Sequence, residues 1–125
     1  MCRICRNENL TGLKELDCPY KSFLRLTPYY ERLNLDCSNC PIITEIPNIE
    51  GLKKLRCSFC PLLTTIYNIE GLEVIDCEFC PLLTNIPNIK GLKSLNCSEC
   101  PLLTNIPIIE GLKQLSCGNN LLLTN

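Results

Sequence analysis

Residues 51–70 read GLKKLRCSFCPLLTTIYNIE, residues 71–90 read GLEVIDCEFCPLLTNIPNIK, and residues 91–110 read GLKSLNCSECPLLTNIPIIE. The period is 20 residues, with nothing inserted or lost between copies. A further unit, GLKQLSCGNNLLLTN, starts at Gly111 and reaches Asn125 part way through its length. Upstream the register continues in weaker form. RLNLDCSNCPIITEIPNIE, from Arg32, is a copy whose opening leucine position carries Arg32. GLKELDCPYKSFLRLTPYY, from Gly12, is one residue short, since Cys18 and Cys37 are 19 apart. Residues 1–11 match the second half of a unit. The 125 residues therefore read as one solenoid: a partial repeat at 1–11, two irregular repeats at 12–50, three regular ones at 51–110 and a truncated one at 111–125.

The recurring frame is L-x-x-L-x-C-x-x-C-x-x-L-x-x-I-x-x-I, carried in one unit by Leu52, Leu55, Cys57, Cys60, Leu63, Ile66 and Ile69. Leu55 and Cys57 alternate as a strand with one buried face does. The later positions recur every three residues, which suits extended or tightly turning chain better than an α-helix. Pro47, Pro87 and Pro107 keep this return path from becoming helical. Glycine at 51, 71, 91 and 111 suits a sharp turn before the next strand. One unit cannot bury its apolar side alone, whereas stacked copies can. The expected fold is a repeat solenoid with a parallel β-sheet on one face and irregular, polyproline-like or 3-10 return segments on the other. Of the adjacent Leu62 and Leu63, Leu63 is expected inside because it keeps register with Cys60 and Ile66.

This frame resembles the leucine-rich repeat family, whose common core is L-x-x-L-x-L-x-x-N/C-x-L. The likeness runs along essentially the whole chain, with Cys57, Cys77, Cys97 and Cys117 at the third leucine position. The Asn-or-Cys position carries Cys40, Cys60, Cys80, Cys100 and then Asn120. The C-P-L-L-T-x-I-P wording looks like that of leucine-rich repeat proteins of large DNA viruses of amoebae. The resemblance implies a protein-binding scaffold, in the host cytoplasm if viral. It also implies that Cys40, Cys60, Cys80, Cys100 and Asn120 form a structural ladder, bonding to backbone groups left open where the chain leaves each strand.

The sequence holds twelve cysteines and no histidine. Cysteine at the strand position acts as a small buried hydrophobe. At the turn position a thiol is a weak donor, so the ladder is expected to stabilise less than one of asparagines. Two other readings compete. The C-x-x-C pairs at 37/40, 57/60, 77/80 and 97/100 have local zinc-ligand spacing, yet both members of each pair occupy core positions of the repeat. Equivalent cysteines in adjacent repeats also fall within disulfide range, but stacked side chains point the same way. A core-thiol role accounts for all of them, and no cofactor or metal is expected.

Without histidine a cysteine hydrolase has no base, and no phosphate-binding G-x-x-x-x-G-K-S/T or G-x-G-x-x-G stretch occurs. We therefore expect no enzymatic activity. The formal charge of −1 and pI near 5.5 favour neither nucleic acid nor an anionic membrane as partner. Apolar runs such as Leu121-Leu122-Leu123 are far below the roughly 18 residues of a membrane span, and no apolar signal segment follows Met1 to Arg6. The expectation is a cytoplasmic chain.

If Leu55 and Cys57 face inward, positions 54, 56 and 58 face outward, and their counterparts vary while the core does not. The candidate binding face comprises Asp17, Asp36, Lys54, Arg56, Asp76, Glu78 and Asn96, with Phe59 and Phe79 about 5 Å apart at its rim. Positions 38, 58 and 98, all serine, are expected on the same open face. The expected partner is an unidentified protein or peptide of basic or mixed character. A second expectation is self-association, since no charged cap follows the strand read at about 114–117.

Overall fold

The computed structural model describes residues 33–49 and 51–120. Its strands are β1 (Leu33–Asp36), β2 (Glu45–Ile46), β3 (Leu52–Arg56), β4 (Thr65–Ile66), β5 (Val74–Asp76), β6 (Ser94–Asn96) and β7 (Gln114–Ser116). Five of them form an all-parallel sheet in the order β1-β3-β5-β6-β7, one strand from each repeat among the described residues. The register repeats the sequence period: Leu55 stands opposite Ile75, Ile75 opposite Leu95, and Leu95 opposite Leu115. The molecule is a repeat β-solenoid.

All seven frame positions point inward. Leu52, Leu55, Cys57, Cys60, Leu63, Ile66 and Ile69 are 0–3% exposed, while Leu62 is 44% exposed. Each fully buried leucine or isoleucine contributes roughly 1.5–3 kcal/mol through area removed from water, and the partner surface comes from the adjoining repeats. The local chemistry makes the corners. At one, the Leu72 amide donates to the Ile69 carbonyl (3.2 Å) around Glu70 and Gly71, and Gly71 has φ +85°. That value is the left-handed geometry that a type II turn demands of its third residue. At another, Pro61 occupies the second position of the turn closed by the Leu63 amide on the Cys60 carbonyl (3.3 Å). This leaves Leu62 at the tip.

Three details differ from the expectation. The first described strand joins the sheet with a one-residue irregularity in its backbone register: Leu33 pairs with Leu52 while Asn34 pairs with Lys54. The return path is partly a second sheet, β2 beside β4, and no 3-10 helix occurs among the described residues. That pairing rests on the Tyr67 amide, which donates to the Ile46 carbonyl (3.0 Å). The next repeats carry Pro87 and Pro107, which have no N–H to donate. Finally, Ser38, Ser58 and Ser98 are buried, at 8–9% exposure. Their small hydroxyls lie between strands and bond there, so this part of the face serves the fold.

Candidate functional site

The turn-position residues form a ladder. The Cys60 thiol donates to the Cys37 carbonyl (3.3 Å), Cys80 to Cys57 (3.2 Å) and Cys100 to Cys77 (3.2 Å). Each takes up a carbonyl at the end of a strand, a backbone group that is costly to bury without a partner. Asn120 continues the series with its side-chain amide on the Cys97 carbonyl (2.9 Å), and its oxygen also accepts from the Cys100 amide (2.7 Å). The asparagine thus serves two backbone groups where a thiol donates to one at a time.

The nine cysteines among the described residues are free thiols, and all but Cys117 are buried. Burial pushes the Cys57 thiol well above its ordinary range, reinforced by Cys37 and other neighbours. Burial also raises Cys80 and Cys97 to about 12. Cys77 is raised by its hydrogen bond to the Cys100 side chain and then by burial. These thiols are protonated at neutral pH, the form suited to packing and donating rather than to nucleophilic attack. Among the described residues no three His, Cys, Asp or Glu side chains converge as metal ligands would.

The sheet face divides into residues recruited by the fold and residues left for solvent. Asp36 accepts from the Ser38 amide (3.1 Å), and Asn96 from the Ser98 amide (3.3 Å). Arg56 has no oxygen to offer at the equivalent place, and the Ser58 amide turns to the Ser38 hydroxyl instead (3.1 Å). Asp76 accepts from the Ser58 hydroxyl (2.9 Å) and the Asn96 amide (3.3 Å), with the Arg56 guanidinium 3.9 Å away. Lys54 is exposed and Glu78 half-buried on the same face. Asp17 lies outside the described residues.

Phe59 and Phe79 are stacked, with ring centroids 4.8 Å apart and planes inclined by 13°. Both stay substantially exposed, at 49% and 41%. Their backbones have φ of +57° and +56°, as do, within a few degrees, Asn39 (+63°), Glu99 (+58°) and Asn119 (+60°). Among the described residues every repeat turns its corner through this left-handed residue. Asparagine tolerates that conformation, whereas a bulky aromatic is costly there. At roughly 1–2 kcal/mol per residue, the pair stores about 2–4 kcal/mol of strain, against about 0.5–1.5 kcal/mol from the stack. Folding alone does not call for phenylalanine at these places.

The stack separates two hollows. On one side lies an open, largely apolar groove of about 630 Å³, lined by Phe59, Phe79, Glu99 and Asn119 together with Pro61, Pro81 and Pro101. On the other lies a polar hollow of about 270 Å³ that includes Asp36, Arg56, Asp76 and Glu78. The structure thus brings Phe59 together with Asp36, Arg56, Asp76 and Glu78, while Lys54 and Asn96 line neither hollow. It adds a column of prolines, and Glu99 at the turn position that carries Phe59 and Phe79 in the two preceding repeats. Leu62, Leu82 and Leu102 are exposed beside those prolines. Their signal was the repeated C-P-L-L: with one leucine of each pair inward, the other must face out in every repeat. No protein-family model matches the chain, and neither a curated protein nor a solved structure matches it.

Proposed function

We propose that this chain is a non-enzymatic scaffold of the leucine-rich repeat type that binds a protein or peptide along the Phe59–Phe79 ridge. One observation carries the reading: two exposed, stacked aromatics are kept at left-handed backbone positions that carry Asn39 in the preceding repeat, Glu99 in the next and Asn119 in the one after. Strain held against an easier alternative is a mark of functional positions. Exposed aromatics beside a groove also have the properties of interface anchors. The test uses the double variant Phe59→Asn/Phe79→Asn, which installs the residue of Asn39 and Asn119 and should fold. A random displayed-peptide library is selected on the parent protein, and the enriched peptides are assayed on both. Binding to the parent and loss on the variant is the expected result; equal binding to both would move the site elsewhere.

A second reading, self-association through the β7 edge, is favoured by Leu115. It is 49% exposed although its counterparts Leu55, Ile75 and Leu95 are at most 1% exposed. Sedimentation over a hundredfold concentration range should show a dimer or longer stack that a Leu115→Lys variant abolishes. A monomer throughout would remove this reading.

A further inference from the structure

The aromatic column ends at Phe79. The next repeat places Glu99 at the same left-handed corner and the one after places Asn119, all three lining one groove. The Glu99 carboxylate accepts a hydrogen bond from the Asn119 side chain through Oε1, which orients it along the column. One face of the Phe79 ring is covered by Phe59, and the residue remains 41% exposed. On the far side of the ridge, the carboxylates of Asp36, Asp76 and Glu78 share one hollow with a single guanidinium, that of Arg56. The apolar groove therefore carries one carboxylate, Glu99, next to the Phe79 ring, and the acidic side chains lie in the neighbouring hollow.

A planar cation fits these constraints better than an ammonium. Guanidinium stacks on aromatic faces and meets a carboxylate edge-on, whereas ammonium is a compact, strongly hydrated point charge. The rest of the groove, built from phenylalanine and proline, takes an apolar stretch. The repeats present these groups in a line along the solenoid axis, which suits extended chain.

We propose that the groove takes an extended peptide segment presenting an arginine beside proline or aliphatic residues. Its guanidinium stacks on Phe79 and pairs with Glu99. This rests on the Phe59–Phe79 ridge being the binding site. It goes further in assigning the partner's chemistry and in making Glu99 and Phe79 its specificity determinants.

The peptides enriched in the selection described above supply the test. Arginine flanked by proline or aliphatic residues should dominate them. Synthetic copies with citrulline in place of that arginine, isosteric but uncharged, should bind about tenfold more weakly. Glu99→Gln should weaken the arginine peptide several-fold and leave the citrulline peptide unchanged. Enriched peptides without arginine would overturn the assignment, as would citrulline copies of equal affinity or an equal effect of Glu99→Gln on both. The ridge would still stand as the site if Phe59→Asn/Phe79→Asn fails to bind those peptides. If no peptide is enriched on the parent, or if enriched peptides ignore the double variant, both assignments fall.

Discussion

Cysteine occupies two residue positions per repeat with different physics. Cys57, just past the end of β3, packs in an apolar interior, while Cys80 donates to the Cys57 carbonyl. A hydroxyl is therefore tolerated differently at the two places. Cys80→Ser keeps a donor for that carbonyl, and we expect it to cost less than about 1 kcal/mol. Cys80→Ala leaves the carbonyl unpartnered, at about 1–3 kcal/mol. At Cys57 the order reverses: serine brings a hydroxyl into apolar surroundings and should be worse than alanine. Urea denaturation of the four variants checks this, and identical behaviour of both serine variants would show that the ladder bond is of no consequence. Conversion of Cys100 to asparagine would test whether the doubly bonded arrangement of Asn120 transfers to a regular repeat.

At the scale of elements, corners decide more than strands. The strands of the main sheet beyond β3 are only three residues long, and they are held in place by turns at both ends. The corner at Phe59 and Phe79 stores backbone strain, so Phe59→Asn/Phe79→Asn should be at least as stable as the parent, by up to about 2 kcal/mol. Thermal unfolding reads the outcome; a large loss of stability would mean that the stack is needed to build the solenoid. On the opposite side, β4 exists because Tyr67 has an amide to donate to Ile46. Tyr67→Pro converts this repeat to the wording of its neighbours. It should cost about 1 kcal/mol and leave the main sheet intact by circular dichroism.

For the whole molecule, stability is a sum over stacked repeats and their interfaces, and the thiol columns couple that sum to pH. Cys80 and Cys97 have an ordinary value of 9.0 that burial raises to about 12 in the folded chain. Below pH 9 both states hold these protons and stability is level. Between about pH 9 and 12 the unfolded chain releases them first. Stability should then fall by roughly 1.4 kcal/mol per pH unit for each such thiol. Urea midpoints measured from pH 7 to 11 should reveal the decline, and Cys97→Ala should make it shallower. A slope unaffected by that substitution would assign the alkaline loss to other groups. Among the described residues no helix is long and apolar enough to cross a membrane.

Much of this follows from the spacing of residues along the chain. A 20-residue period with Leu55, Cys57, Cys60 and Leu63 at constant offsets has one economical burial scheme, and so it determines the parallel stack, the inward leucine of each pair and the neighbouring phenylalanines. Spacing is silent on what a side chain does once neighbours arrive. That Ser58 turns inward to bond Asp76, that Leu33 meets Leu52 beside a one-residue irregularity in register, and that Phe79 sits at φ +56° all depend on contacts between repeats. The groove too is assembled from one or two residues of each unit. It exists only after stacking, because only then do the prolines, the aromatic pair and Glu99 share a surface.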